Sequence, residues 1–126
     1  MIETTIEGLS LRLATANDVP QILKFIQDLA EYEKLSDQVV ATEQKLRETL
    51  FGAQPFAEVV MADYQGQPAG FALFFHNYST FLAKPGMYLE DLYVDQQLRG
   101  KGIGKALITF LAKLAVERDC GRLEWS

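Results

Sequence analysis

The chain has 126 residues, a length that suits one domain with a single hydrophobic core. Its composition, 48% hydrophobic and 23% charged, is typical of a globular protein and excludes a disordered or fibrous one. The formal net charge of −5 disfavours non-specific attraction to the phosphates of DNA or RNA, and it suits a cationic small substrate.

The cysteine content and the N-terminus exclude further classes. Cys120 is the single cysteine, so an intrachain disulfide cannot form and the spacing of a structural zinc site is absent. No apolar run approaches the roughly 18 residues that span a bilayer, and the N-terminal stretch MIETTIEG lacks the features of a signal peptide. We expect a cytoplasmic protein that binds no metal, no membrane and no nucleic acid.

The first half of the chain predicts one strand and two helices. Residues 9–15 alternate between apolar and polar, as in a half-buried strand. Apolar residues at helical spacing predict a helix over 17–34, capped by Thr15 or Asn17. A second, shorter helix is predicted over 42–51.

The second half predicts three strands, a helix and a last strand. Strands over 56–64 and 68–78 flank a Gln-Gly-Gln turn and form a hairpin, and a loop precedes a further strand over 87–94. A helix over 102–118 and a strand over 122–126 complete the order β-α-α-β-β-β-α-β. Because no repeat or linker divides the chain, we expect residues 1–126 to form one domain of the α/β (α+β) class.

A glycine-rich turn between the fourth predicted strand and the following helix carries the chemical signal. Glycines let successive backbone N–H groups converge on an anion, and the helix N-terminus adds partial positive charge. The turn therefore predicts a pyrophosphate site, the alternative being a glycine-rich connection with solvated basic residues. Its glycines and basic residues are Arg99, Gly100, Lys101, Gly102, Gly104 and Lys105.

Two other phosphate-binding motifs fail on their spacing. A P-loop needs a glycine five residues before its Gly-Lys pair and a hydroxyl after it, but Arg99 and Ala106 occupy those positions. A dinucleotide fingerprint needs G-x-G-x-x-G near the first strand, whereas the glycines here are evenly spaced and lie after the fourth predicted strand. A nucleotide-phosphate-binding protein is therefore disfavoured.

Arg99, Gly102 and Gly104 match the signature Q/R-x-x-G-x-G/A, and on this motif the chain resembles the GNAT family of N-acetyltransferases. The order of elements resembles that family from Leu9 to the end of the chain. Within the family the chain is most similar to the diamine (spermidine/spermine) and thialysine acetyltransferases, on the stretches LRLATANDVPQIL, LAEYEKLSDQV, YLEDLYV and RGKGIGKAL. The resemblance implies a mixed, mostly antiparallel sheet flanked by helices, truncated before the family's C-terminal helix and strands.

The resemblance also implies the residues of the site. Acetyl-CoA (coenzyme A) is the implied cofactor, its acetyl and pantetheine parts on a strand backbone and its pyrophosphate on the glycine turn. The implied cofactor-binding residues are Leu92, Tyr93, Val94, Arg99, Gly100, Lys101, Gly102, Ile103, Gly104 and Lys105. The implied substrate-binding residues are Tyr32, Glu33, Glu90, Glu124, Trp125 and Ser126, with Glu90 also the catalytic carboxylate that helps to remove the amine proton.

From the residues alone, the implied substrate-binding residues also have interpretations that involve no substrate. Tyr32 and Glu33 end a charged helix and could be an ordinary exposed terminus. Glu90 and Asp91 are adjacent on a predicted strand, so their side chains should point to opposite faces and not act as a pair.

The implied function is an N-acetyltransferase that moves the acetyl group of acetyl-CoA to a primary amine of a polyamine, diamine or thialysine-like molecule by direct attack. The implied assembly is a homodimer. Family members carry a tyrosine acid in their C-terminal part, and no residue of this chain matches it. The alternative is therefore a non-catalytic acyl-CoA-binding or regulatory module.

Overall fold

A computed structural model describes residues 2–126 of the chain. Its strands form one six-stranded sheet in the order β1-β2-β3-β4-β5-β6, antiparallel throughout except for the parallel pair β5 and β6. This mixed, mostly antiparallel sheet with flanking helices confirms the predicted fold class. The elements are β1 (Ile2–Glu3), β2 (Leu9–Leu13), α1 (Val19–Tyr32), α2 (Glu43–Phe51), β3 (Glu58–Tyr64), β4 (Gln67–Ser79), β5 (Lys84–Val94), α3 (Ile103–Glu117) and β6 (Leu123–Glu124).

The structure differs from the predicted elements at three strands. Strand β1 was not predicted, because two residues are too few to show a periodicity. Strand β5 begins at Lys84 instead of residue 87 and therefore includes Pro85. A proline is tolerated at this position because β6 pairs with β5 only from Met87 onward, so no backbone N–H is needed from Pro85. Strand β6 has only two residues, fewer than the five predicted.

The sheet is covered by helices on both faces. Alternate residues of β3 show the division: Val59 and Met61 pack with α1 and α2, whereas Val60 and Ala62 pack with α3. No helix within residues 2–126 is long and apolar enough to cross a membrane.

A β-bulge in β5 changes the face that its side chains take. Leu73 of β4 pairs with Asp91 and Phe74 pairs with Leu89, so Glu90 is the extra residue. Leu89 packs on the α3 face and Tyr93, four residues later, packs on the α1 face, although regular alternation would place both on the same face. We expected Glu90 and Asp91 to point to opposite faces because side chains alternate along a regular strand. The bulge interrupts that alternation at these residues, so the reason for the expectation does not apply here.

Two bidentate ion pairs tie helical segments to the sheet. The Arg12 guanidinium donates to Asp18 at 2.7 and 2.8 Å, and Asp18 also accepts the N–H of the predicted capping residue Thr15 at 2.8 Å. The bond from Arg12 lowers the pKa of Asp18. The second pair lies near the start of β3, where Arg118 after α3 donates to Glu58 at 2.6 and 2.9 Å. These pairs fix where α1 begins and where α3 ends relative to the sheet.

The packing of α3 predicts unequal effects of two alanine substitutions. Leu111→Ala should lower the free energy of unfolding by about 2–5 kcal/mol, because it leaves a cavity under α3 where the native side chain is 0% exposed. Val116→Ala on the same helix is the control, since this side chain is 80% exposed and its loss should cost less than about 0.5 kcal/mol. Urea denaturation measures both, and equal effects would contradict the placement of α3.

Candidate functional site

The glycine turn has the backbone geometry that its sequence predicts. Gly100 and Gly102 have φ of +83° and +85°, in the left-handed region that side chains with a Cβ rarely adopt. Gly102 caps α3, and the first helical hydrogen bond runs from Ala106 N to Gly102 O at 3.0 Å. The N–H groups of the first turn of α3 precede that bond and are therefore available to an anion at the helix N-terminus.

Gly104 differs from the two glycines before it. It lies inside α3, and a Cβ there would come within 3.8 Å of Leu92 and 3.9 Å of Val94, an ordinary van der Waals contact. A Cβ would therefore fit here, and glycine at this position is required neither by a close approach to β5 nor by an unusual backbone angle.

A groove of about 440 Å³ runs along the edge of β5 beside this turn. Strand β6 pairs with β5 only at Met87 and Tyr88, so within residues 2–126 no strand pairs with the outer edge of β5 from Leu89 onward. The groove has walls from both helical layers, Tyr32 on the α1 side and the start of α3 on the other. Its lining residues are Tyr32, Leu92, Val94, Leu98, Arg99, Gly100, Gly102, Ile103 and Gly104.

Arg99 lies at the mouth of the groove in a defined position. Its Nε donates to the carbonyl oxygen of Val94 at 3.2 Å. The guanidinium carbon lies 4.3 Å from the ring centroid of Tyr32 and 5.8 Å from that of Tyr93. Burial raises the pKa of the Tyr93 phenol, so this ring remains a neutral partner for the cation. Of the basic residues predicted for the turn, Arg99 alone lines the groove, while Lys101 stands 5.5 Å over the Tyr64 ring.

Three carboxylates lie next to one another where β5 bulges. Asp91 is half-buried and its pKa is raised, first by burial and then by the charges of Glu90 and Glu33. Glu90, the predicted catalytic residue, is exposed, as is Glu33 just after α1. Asp91 has no predicted role, and the available signal was its place beside Glu90 in a strand segment that is apolar on either side.

The last predicted substrate residues lie toward the end of the sheet where β4 turns into β5. Glu124 accepts from Asn77 at 3.3 Å and pairs with Arg122 at 3.1 Å, so its carboxylate is already engaged. Ser126 hydrogen-bonds with Tyr88, and Trp125 is exposed. The contacts of these residues run to β4 and β5 and to their own strand, whereas Glu33 and Asp91 interact farther along β5.

The raised pKa of Asp91 predicts a pH-dependent effect of Asp91→Asn. The folded state holds the Asp91 proton more tightly than the unfolded chain, so ionisation destabilises the fold as the pH rises through the range above the unfolded pKa of about 4. Asp91→Asn should raise the melting temperature at pH 7, and this gain should disappear near pH 3.5. Asp37→Asn, at an exposed acid, is the control, and a gain of Asp91→Asn that is equal at both pH values would refute the assignment.

Comparison with known proteins places this site in a family. Residues 23–126 match the family model described as the acetyltransferase (GNAT) family. Thialysine N-epsilon-acetyltransferase of Bos taurus is 39% identical over 121 residues, covering 90% of this chain and 71% of that protein. L-ornithine N5-acetyltransferase of Arabidopsis thaliana is 35% identical over 160 residues, covering 91% of this chain and 70% of that protein.

A solved structure shares the fold at lower identity. The crystal structure of an aminoglycoside acetyltransferase from an uncultured soil metagenomic sample matches with a TM-score of 0.82 and 22% identity, covering 94% of this chain and 77% of that one. The fold, the sequence relatives and the family match agree with the predicted resemblance and confirm it. The chain belongs to the acetyltransferase (GNAT) family.

Proposed function

We propose that this chain transfers the acetyl group of acetyl-CoA to a primary amine of a small molecule of the polyamine, diamine or thialysine-like type. The family uses acetyl-CoA as its co-substrate. The two sequence relatives described above are named for the acetylation of thialysine and ornithine. Their names support an amine acceptor.

The observation that carries the proposal is the position of the three carboxylates relative to the groove. Glu90 and Asp91 immediately precede Leu92 on β5, and Leu92 and Val94 line the groove. Glu33, on the α1 side, adds a third negative charge near Asp91. A cationic amine attracted to these acids would arrive beside the segment of β5 proposed to hold the acetyl group.

The glycine turn fits the anionic part of the donor. Arg99, Lys101 and Lys105 add three positive charges around two left-handed glycines in a chain whose net charge is −5. The start of α3 adds the partial charge of a helix N-terminus. We propose that this turn and Ile103 hold the pyrophosphate, while the backbone of Leu92, Tyr93 and Val94 holds the thiol-bearing arm. The donor supplies the acetyl group as a thioester, whose C–S bond is replaced by a C–N bond to the amine. The attacking nitrogen loses a proton as the amide forms, and the departing sulfur takes up a proton, so coenzyme A leaves as the free thiol.

In the proposed reaction, a carboxylate must accept a proton from the amine before the amine can react. A primary alkylammonium has a pKa of about 10, so the amine must lose a proton to become a nucleophile. We propose that Glu90, exposed at the bulge, accepts this proton directly or through water, and that Asp91 assists it from its half-buried position. Backbone groups of Leu92 and Val94 then orient and polarise the acetyl carbonyl.

Two further properties belong to the proposal. A homodimer is supported by large exposed apolar side chains at the turn between β4 and β5, among them Tyr78, Phe81 and Leu82. A cytoplasmic location is supported by the single cysteine, which suits a reducing compartment. Glu124, Trp125 and Ser126 remain predicted contacts of the amine at that end.

A thiol-release assay over a panel of polyamines, diamines and thialysine tests the function. Native protein should release free thiol from acetyl-CoA only when an amine is present. Glu90→Gln should lower kcat by about 100-fold or more, because a group that accepts a proton is lost, with the KM for acetyl-CoA nearly unchanged. Glu48→Gln on the exposed face of α2 is the matched control and should keep full activity.

The same assay separates the enzyme from the non-catalytic alternative. Calorimetric titration with acetyl-CoA measures binding in the absence of an amine. Binding without release of thiol for any amine of the panel would leave an acyl-CoA-binding module, and the proposed reaction would be wrong for this chain.

A further inference from the structure

The contact between Tyr32 and Arg99 joins the two helical layers across the edge of β5. Tyr32 is the last residue of α1, on one face of the sheet, whereas Arg99 belongs to the turn that leads into α3 on the other face. The guanidinium carbon lies 4.3 Å from the Tyr32 centroid, a distance well within the range of a cation–π contact. The contact therefore spans the mouth of the groove.

The surroundings of Arg99 leave its terminal nitrogens open to an anionic ligand. Its Nε is used by the carbonyl oxygen of Val94. The ion pairs formed within residues 2–126 do not include Arg99, so no carboxylate neutralises its charge. Two aromatic rings and one carbonyl hold the guanidinium, and none of them occupies the Nη groups that pair with phosphate oxygens.

The position of Tyr32 favours a contact with the donor, whereas the resemblance predicts a contact with the amine. The Arg99 guanidinium lies over one face of its ring, so that face is not available to an alkylammonium. Tyr32 lines the groove together with the glycine turn, and none of the carboxylates Glu33, Glu90 and Asp91 lines it. The ring therefore lies on the donor side of the site.

We infer that Tyr32 is a positioning residue for the acetyl donor, whose ring holds the Arg99 guanidinium at the mouth of the groove, where it meets the phosphates of coenzyme A. This inference rests on the proposed function. Tyr32 is 54% exposed, so its ring contributes little to the core and can be replaced without unfolding the chain.

Calorimetric titration of four variants with coenzyme A tests the inference. Tyr32→Leu removes the ring and should weaken binding about three- to fivefold, the effect of a cation–π contact at an exposed site. Tyr32→Phe keeps the ring and should bind within about twofold of the native protein. In the Arg99→Gln background, Tyr32→Leu should cause no further loss, because the cation that the ring holds is gone.

Steady-state kinetics supply the readout that a merely structural role would not give. Tyr32→Leu should raise the KM for acetyl-CoA by the same three- to fivefold factor, about the size of the lost contact, and leave kcat and the KM for the amine unchanged. A raised KM for the amine with unchanged binding of coenzyme A would overturn the inference and restore Tyr32 as an amine contact.

The outcomes distinguish the inference from the proposed function. If native protein binds coenzyme A and Tyr32→Leu binds it equally well, the positioning role is wrong while the proposed function stands. If native protein does not bind coenzyme A at all, the proposed function itself is wrong. Circular dichroism of each variant verifies that the fold is retained.

Discussion

Strand β5 carries one residue more than the part of β4 that it pairs with, and the arrangement of the site depends on this single insertion. The bulge at Glu90 reverses the alternation of the strand, so Leu89 faces α3 while Asp91 and Tyr93 face the α1 side. Without it, Tyr93 would lie on the α3 face with Leu89, and Arg99 would lose its second aromatic neighbour. The bulge thus places a carboxylate and a ring on the face where α1 ends.

The free edge of β5 gives the two ligands separate approaches. The groove follows the part of β5 that β6 does not pair with, and its walls come from α1 on one side of the sheet and from α3 on the other. Left-handed Gly100 and Gly102 turn the chain sharply enough for the N-terminus of α3 to point at the mouth of this groove. The acids at the bulge lie at the opposite end of the same strand segment. A donor and an acceptor can therefore meet along one strand without crossing the sheet.

The basic and the acidic side chains lie at different ends of the same segment of β5. Basic residues surround the glycine turn, which suits the proposed anionic donor, and carboxylates gather near Asp91, which suits the proposed cationic acceptor. Burial, followed by the charges of Glu90 and Glu33, raises the pKa of the half-buried Asp91. Such a group gains stability when an ammonium binds beside it, which is the electrostatic basis for the proposed amine specificity.

The sequence by itself determined the elements, the family and the glycine turn, because these depend on local periodicity and on residues within a few positions of one another. It placed α1, α2, α3 and the β3–β4 hairpin within a few residues of their positions in the structure. The features that depend on contacts between residues far apart in the sequence were decided by the tertiary structure alone. The bulge at Glu90 exists only through the register with β4. The pKa of Asp91 is raised first by burial and then by the charges of Glu90 and of Glu33, which follows α1. The Tyr32–Arg99 contact forms only because two helical layers meet at an open strand edge. Sequence spacing cannot reveal these contacts, since Tyr32 and Arg99 are brought together by the fold and not by the chain.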